Sequence, residues 1–187
     1  MTKNNLPIKV NILGGPGIGK STVATGVFAL LKMHEVDAEY ISEFAKDLTW
    51  EKSLYSLRDQ YYVWAVQNHS VWRLIPYVDV IITDSPTIMS LVYGEHTMDE
   101  FKQVVLKMFN SYNNINFLLK RITEYVPTGR NQDLQEACII DEKIENSLID
   151  NEIEYITTDC NHDSINDVVS IILSMLGKKH TFKIRKE

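Results

Sequence analysis

The sequence predicts an α/β fold in which five parallel strands form one sheet with helices on both faces. Short apolar, β-prone runs alternate along the chain with longer segments whose apolar residues recur at helical spacing. The clearest strand-like run is apolar nearly throughout, as expected for a parallel strand that is buried on both faces. A length of 187 residues with 44% hydrophobic and 24% charged residues indicates one globular domain over residues 1–187.

The first predicted strand, Ile8–Leu13, leads into a glycine-rich turn and then a helical pattern that continues to Met33. The turn, Gly14–Ser21, fits G-x-x-x-x-G-K-[ST], and its glycines let backbone N–H groups surround a phosphate. The helix N-terminus adds unpaired donors and the positive end of its dipole. An ordinary strand-to-helix turn is the alternative, but this order of elements favours a phosphate-binding P-loop. The expected nucleotide contacts are Gly15, Pro16, Gly17, Ile18, Gly19, Lys20, Ser21 and Thr22.

A metal site is expected between this loop and the third predicted strand, Tyr77–Asp84. In a P-loop, Lys20 would contact the β- and γ-phosphate oxygens and the Ser21 hydroxyl would ligate Mg²⁺. The third strand ends in a carboxylate, so Asp84 would reach the same ion or a water bound to it. The alternative is that Asp84 only caps the turn Asp84-Ser85-Pro86.

Glu43 is a candidate catalytic and acceptor-binding residue, because it follows the second predicted strand, 38–42, at its carboxyl end. In open α/β sheets this edge holds the ligand, and we expect this strand to neighbour the loop strand. Residues 43–50 are compatible with a helix. The alternative role for Glu43 is therefore to stabilise the dipole of that helix from its first turn.

A long helix rich in aromatic residues is predicted from Ser53 to Ile75. An aromatic stripe at helical spacing usually packs in the core. Gln60, Trp64 and Gln67 fall at i, i+4 and i+7, so two amides and an indole share one face. That face is a candidate for stacking on a planar base and hydrogen bonding to it.

Arginines follow the fourth predicted strand, 115–119, which comes after a predicted helix over 98–112. Arg121 and Arg130 bracket a turn that contains Pro127 and Gly129, before a helical pattern up to Asp150. The segment of about 121–135 is expected to act as a lid whose arginines neutralise phosphate oxygens. Two solvated surface charges are the alternative.

The fifth predicted strand, 154–158, precedes a helix of about 164–176. From position alone, Thr158 and Asp159 are expected to lie at the edge of the adenine. The basic tail, 177–187, fits a solvated terminus better than a nucleic-acid contact. A net charge of −6 also argues against a protein that coats nucleic acid, since such a protein needs a basic face.

Other sequence features narrow the location and class of the protein. Cys138 and Cys160 form no C-x-x-C pair, and the five histidines lack ligand spacing. The N-terminus is polar and no apolar run reaches membrane-spanning length, so we expect a cytoplasmic protein without a membrane partner. The guanine-binding N-K-x-D of GTPases does not occur in the sequence. A motor or AAA+ machine would normally need a longer chain and an assembly interface.

Several motifs together resemble phage-encoded small P-loop kinases, which are related to the nicotinamide riboside kinase domain and to deoxynucleoside and nucleoside monophosphate kinases. The resemblance rests on Lys20-Ser21, on 42–48, on 83–86 and on the stretch from Tyr125 to Gln132. It implies ATP and Mg²⁺ on the donor side and a small hydroxyl-bearing acceptor. Some similar phage kinases act on 5-hydroxymethyluracil within DNA, in the cytoplasm of the host.

The sequence thus supports a mechanistic hypothesis for an ATP-dependent kinase. Lys20 and the loop amides would hold the ATP phosphates, and Arg121 and Arg130 would close over the transferring phosphoryl group. Glu43 would accept the proton of the acceptor hydroxyl, with Asp84 as the alternative base. Acceptors related to a nucleoside, a nucleotide, nicotinamide riboside or modified DNA stay open. A non-catalytic, regulatory ATP-binding module is the alternative from another class.

Overall fold

A computed structural model describes residues 6–94, 96–121 and 133–178 and contains the predicted five-stranded parallel sheet. The strand order is β2-β3-β1-β4-β5. This arrangement confirms the α/β fold class, with every strand parallel to its neighbours. The strands are β1 (Ile8–Leu13), β2 (Ala38–Ile41), β3 (Val80–Thr83), β4 (Asn113–Lys120) and β5 (Ile156–Asp159).

Helices cover both faces of the sheet, as predicted. One hydrophobic cluster joins Val10 and Ile12 of β1 to the first and last helices through Val23, Val27 and Ile172. A second cluster lies on the opposite face. It contains Leu13, Val105, Phe109, Ile144 and Leu148. The helices are α1 (Lys20–Met33), α2 (Phe44–Trp50), α3 (Leu54–Arg58), α4 (Gln60–Trp72), α5 (Ser90–Tyr93), α6 (Asp99–Asn110), α7 (Leu134–Asp150) and α8 (His162–Met175).

The single long helix predicted over 53–75 is wrong, because the structure divides it into α3 and α4. The break is at Asp59, whose backbone is not helical and whose carboxylate accepts a hydrogen bond from the Tyr62 N–H. That bond satisfies one of the free donors at the start of α4, so Asp59 begins a new helix. The structure also contains α5 after β3, where no helix was predicted.

The expectation that β2 neighbours the loop strand is also wrong. β3 lies between them, pairing with β1 through Ile8 and Val80 and with β2 through Ala38 and Val80. All residues of β3 are buried, whereas β2 has an exposed position and a half-buried one. The fully buried, mostly apolar strand therefore takes the inner place, and the partly polar strand takes the edge.

The parallel arrangement brings the predicted functional residues to one edge of the sheet. The P-loop follows β1, Glu43 follows β2, Asp84 follows β3 and Arg121 follows β4. Because parallel strands point the same way, these carboxyl ends share one side of the molecule. Within the described part of the chain, we find no helix with the length and apolar character needed to cross a membrane.

Candidate active site

The P-loop has the backbone conformation that its glycines were expected to permit. Gly17 and Gly19 have φ values of 76° and 102°, in the left-handed region that favours glycine. Gly19 occupies the N-cap position of α1 and, as a glycine, has no side chain that could cap the helix. A helix N-terminus of this kind suits the binding of an anion.

Lys20, the first residue of α1, turns back over the loop. Its Nζ donates a hydrogen bond of 2.9 Å to the Gly15 carbonyl oxygen. The ammonium group is therefore held at the loop, where phosphate oxygens would bind. Lys20 also lines the cavity that is described below.

Ser21 and Asp84 meet as the metal hypothesis requires. The Ser21 hydroxyl donates to Asp84 Oδ2 at 2.5 Å, and Asp84 is 1% exposed. Asp84 Oδ1 is buried and has no hydrogen-bond partner among the described residues. The adjacent Ser85 N–H bonds instead to Thr83 Oγ1, so it does not use Asp84 as a turn cap.

The residues at this point fit Mg²⁺. A hydroxyl and an unpartnered carboxylate oxygen are the hard ligands that Mg²⁺ prefers, and the ion usually takes its other ligands from water and phosphate. Within the described residues there is no cluster of three or more His, Cys, Asp or Glu that could hold a metal.

Glu43 occupies the N-cap position of α2, but its side chain makes no capping hydrogen bond. Its carboxylate lines the cavity beside Lys20 and Asp84. Burial raises the pKa of Glu43 above that of an ordinary glutamate; the charge of Lys20 opposes this shift and that of Asp84 adds to it. The group is therefore easier to protonate than a surface glutamate, as expected for a general base.

The amide of Gln67 holds the backbone on both sides of Glu43. Gln67 Oε1 accepts from the Phe44 N–H, and Nε2 donates to the Ser42 carbonyl, both at 3.1 Å. These two groups flank Glu43 on either side. Gln67 is only 4% exposed, and its Nε2 also lies 3.4 Å from Thr83 Oγ1. Its amide therefore fixes the backbone around Glu43, and the expected contact of Gln67 with a base stays a prediction.

A cavity of about 610 Å³ opens beside the P-loop and lies between α2, α4 and the segment after β3. Gln60, Trp64 and Gln67 all line it, so the predicted shared face exists. Gln60 Nε2 donates to the Leu57 carbonyl. The indole of Trp64 packs edge-on against Phe101, with ring centroids 5.5 Å apart.

Besides Asp84 Oδ1, two polar atoms on the cavity wall are buried without a hydrogen-bond partner among the described residues. They are Trp64 Nε1 and Thr87 Oγ1. Unsatisfied buried polar groups are costly in a folded protein. A donor and a hydroxyl left unpaired in a cavity wall are consequently candidates for contact with a ligand.

Two tyrosines and two basic residues near the cavity were not predicted as site residues from the sequence. Tyr40 on β2 lies beside Asp84 and Ser21, and burial together with the Asp84 charge raises its pKa. Burial, the charge of Glu43 and the charge of Asp141 raise the pKa of Tyr93. Lys46 and Arg58 are exposed residues that line the cavity. Their relation to the site depends on the path of α2 to α5, which residue spacing does not reveal.

Arg121 lies against the outside of the P-loop. Its Nε pairs with Asp141 Oδ2 at 2.8 Å, and its Nη2 donates to the Pro16 carbonyl at 2.9 Å. It does not line the cavity. Arg130 and nearly all of the expected lid lie outside the described residues.

Asp141 on α7 was missed in the sequence. Its Oδ1 accepts a hydrogen bond of 2.6 Å from the Gly15 N–H, so one carboxylate joins Gly15 and Arg121. The sequence signal that could have identified Asp141 is an isolated acidic residue on an otherwise apolar helix face. Ala137, Ile144 and Leu148 share its face of α7 at i−4, i+3 and i+7, and each is at most 1% exposed.

The end of β5 approaches the P-loop through a different residue from those predicted. Asp159 pairs in register with Lys120, and neither Thr158 nor Asp159 is among the residues that line the cavity. The next residue, Cys160, packs on Gly19, and its Sγ lies 3.8 Å from the Gly19 carbonyl oxygen. The expected adenine contacts of Thr158 and Asp159 stay a prediction.

Comparison with known proteins identifies the family. Residues 9–164 match a family model described as "AAA domain". A solved structure described as "Crystal structure of NadR protein in complex with NR" superposes with a TM-score of 0.70 at 14% sequence identity. The match covers 95% of this chain and 53% of the NadR chain, so this chain spans about half of that protein. A comparison with curated protein sequences found no match.

The superposition at this identity establishes the fold, and the family model covers most of the chain. The structure contains a P-loop before an α-helix and a buried carboxylate at the end of a neighbouring strand. The protein belongs to the AAA-domain family of P-loop NTPases.

Proposed function

We propose that this protein is an ATP-dependent phosphotransferase that transfers the γ-phosphate to a hydroxyl group of a nucleoside- or nucleotide-type acceptor. The observation that carries the proposal is the position of Glu43. Its carboxylate sits at a helix terminus without capping it and lines a cavity beside Lys20 and Asp84. A pure nucleotide-binding module has no need for a half-buried carboxylate that faces such a cavity.

The donor side uses groups that are already in place. Lys20 Nζ would exchange the Gly15 carbonyl for the β- and γ-phosphate oxygens, and the free N–H groups of α1 would bind phosphate. Ser21 and Asp84 would hold Mg²⁺, which neutralises charge on the phosphates when bound. Arg130 is the proposed source of further positive charge for the transition state, since Arg121 is engaged by Asp141 and the Pro16 carbonyl.

The transfer step needs a base for the acceptor hydroxyl. Glu43 would take the hydroxyl proton as the acceptor oxygen bonds to the γ-phosphorus. The bond from that phosphorus to the bridging oxygen breaks, and ADP leaves with the electron pair. Asp84 is the alternative base, although its Oδ2 is engaged by Ser21.

The cavity suits an acceptor about the size of one nucleoside. A volume of about 610 Å³ is within the usual range for small-molecule sites. Trp64 Nε1 and Thr87 Oγ1 offer unpaired polar contacts inside it. Lys46 and Arg58 at its exposed side favour an acceptor that carries phosphate, such as a nucleoside monophosphate or a hydroxymethylated base in DNA.

A labelled-phosphate assay tests the proposal. The protein is incubated with γ-labelled ATP, Mg²⁺ and one acceptor at a time: nucleosides, nucleoside monophosphates, nicotinamide riboside and hydroxymethylpyrimidine DNA. We expect label on one acceptor class, and none with the Lys20→Ala variant. Nicotinamide riboside is included because the NadR structure is described as a complex with NR.

The outcomes separate the two classes of function. Label on a monophosphate or on DNA supports the role of Lys46 and Arg58, whereas label on an uncharged nucleoside argues against it. Tight ATP binding with no labelled acceptor in the whole panel contradicts the kinase and favours the regulatory ATP-binding module.

A further inference from the structure

We infer that Asp141 is a positioning residue that fixes the shape of the P-loop from outside and thereby sets its affinity for nucleotide. The inference rests on the proposed binding of a nucleotide to the loop. It does not depend on the identity of the acceptor or on phosphoryl transfer. It also assigns Arg121 a role that differs from the predicted closure over the phosphoryl group.

The contacts form a closed ring around the first half of the loop. The Gly15 N–H donates to Asp141 Oδ1 at 2.6 Å, and Asp141 Oδ2 accepts from Arg121 Nε at 2.8 Å. Arg121 Nη2 completes the ring by donating to the Pro16 carbonyl at 2.9 Å. Two consecutive loop residues are thus held by a single charge pair.

The chemistry of these loop residues explains why such a ring is useful. Pro16 has no N–H, so its polar tether must be its carbonyl oxygen, which Arg121 uses. In a trans peptide the carbonyl and the following N–H point in opposite directions. Holding the Pro16 carbonyl against Arg121 therefore turns the Gly17 N–H away from Arg121, toward the opposite side of the loop.

The ring also fixes the lysine. The Gly15 carbonyl accepts from Lys20 Nζ, while the N–H of the same residue is held by Asp141. Gly15 is buried, and a Cβ atom there would lie 2.5 Å from Asp141 Oδ1 and 2.9 Å from the Ala137 carbonyl. Helix α7 thus lies directly on the loop, and a preformed loop loses less entropy when it binds phosphate.

A second ion pair between the same two elements provides a matched control. Lys120, the residue before Arg121, pairs with Glu145 at 2.8 Å. Glu145 lies one turn after Asp141 on α7 and also accepts from the Tyr155 hydroxyl. This pair joins β4 to α7 as the Asp141 pair does. Within the described part of the chain, the hydrogen bonds of the Lys120 and Glu145 side chains do not involve the loop.

The test compares Asp141→Asn with Glu145→Gln in the full chain. Affinity for a non-hydrolysable ATP analogue with Mg²⁺ is measured by calorimetry, together with the thermal midpoint of each variant. We expect Asp141→Asn to raise the Kd about tenfold, because it removes a charge-assisted bond to Arg121. Glu145→Gln should leave the Kd within about twofold of the wild-type value, whatever it does to the thermal midpoint.

Arg121→Gln and the double variant protect the test against a folding defect in Asp141→Asn. If the ring acts as one unit, Arg121→Gln weakens analogue binding to a similar extent, and the double variant is no weaker than either single change. Wild-type affinity in Asp141→Asn, or an equal loss in Glu145→Gln, overturns the inference. A wild-type protein that binds the analogue but labels no acceptor contradicts only the kinase proposal.

Discussion

The P-loop and the cavity beside it lie at the same sheet edge, but they differ in whether their polar groups have hydrogen-bond partners. On the loop side, the Gly15 N–H and carbonyl, the Pro16 carbonyl and the Lys20 ammonium each have a protein partner. On the cavity side, Trp64 Nε1, Thr87 Oγ1 and Asp84 Oδ1 are buried without a partner among the described residues.

This difference indicates how each half prepares for its ligand. Contacts from α7 and from the residue after β4 hold the loop in place, so the proposed phosphate site would need little reordering when a nucleotide binds. The cavity has polar atoms whose desolvation is uncompensated until an acceptor or a metal supplies a partner. Substitutions on the two sides should therefore separate into effects on ATP and effects on the acceptor.

The largest effect is expected from Glu43→Gln, which removes the proposed base with little change of shape. We expect kcat to fall by about 10²–10⁴-fold with ATP affinity little changed. Because the pKa of Glu43 is raised, wild-type kcat/KM should fall on acidification at a pH above the usual glutamate range. The pH profile of the variant should lack this limb, and an unchanged rate would transfer the base role to another group.

Lys20→Ala tests the P-loop and should also lower the rate of phosphoryl transfer. Loss of a cation that contacts the transferring phosphoryl group should lower kcat by about 10²–10³-fold. Lys32→Ala, at the other end of α1, is the matched control and should turn over normally. The rate is measured in the labelled-phosphate assay. Wild-type turnover by Lys20→Ala would refute the assignment of the loop.

Gln67→Leu tests whether activity needs the hydrogen bonds from Gln67 to the backbone around Glu43. The substitution leaves the Phe44 N–H and the Ser42 carbonyl without the side-chain partner, and we expect kcat to fall about tenfold. In a Glu43→Gln background the same change should have little further effect, since both act through one group. Independent, multiplying losses in the double variant would argue against this positioning role.

Trp64→Phe sharpens the contrast between the two regions. Phenylalanine keeps much of the contact with Phe101 but removes the unpaired indole N–H. The KM for the acceptor should rise about three- to tenfold while the KM for ATP stays unchanged. A change confined to the KM for ATP would place Trp64 on the donor side instead.

The smallest effect on catalysis is expected at Lys9, which lies on β1 five residues before Gly14. Lys9 is 1% exposed, and burial lowers its pKa from 10.5 to about 7. Its Nζ lies 4.6 Å from the centroid of the Tyr112 ring. Lys9→Met should leave both KM values intact and change only the free energy of unfolding.

The pH dependence of that change has a definite sign. Between about pH 7 and 10.5 the unfolded chain holds a proton on Lys9 that the native protein has lost. Wild-type stability should therefore rise with pH in this range, by at most about 1.4 kcal/mol per pH unit. Denaturant unfolding at several pH values measures the slope, which Lys9→Met should reduce. An equal slope in the variant would show that Lys9 keeps its proton.

Many functional residues at this edge of the sheet could be predicted from local sequence patterns. The long-range hydrogen bonds that hold them in place could not. The strand-to-helix turn at Gly14–Ser21 and the acid that ends β3 both carry chemistry that short spacings reveal. The meeting of Asp141 with Gly15 spans 126 residues, and that of Asn116 with Asn11 spans 105. Such contacts depend on where α7 and β4 lie, which no local window contains.

For Gln67, the sequence predicted the position of the residue but not its hydrogen bonds. Helical spacing rightly placed it on the face it shares with Gln60 and Trp64, and all three line the cavity. Spacing could not show that the amide would bond to the backbone beside Glu43. Similarly, the apolar pattern located β2 and β3 but not their order in the sheet.

The fold class, the P-loop motif and the carboxylates that follow the strands could all be predicted from residue patterns. They follow from periodicity, glycine conformation and side-chain chemistry, which act over a few residues. Three other features became visible only in the folded chain: β3 separates β2 from β1, Gln67 bonds to the backbone beside Glu43, and Asp141 joins the loop to Arg121. Those pairings arise when distant segments compete for buried positions and for hydrogen-bond partners, a competition that is resolved by the packing of the whole chain.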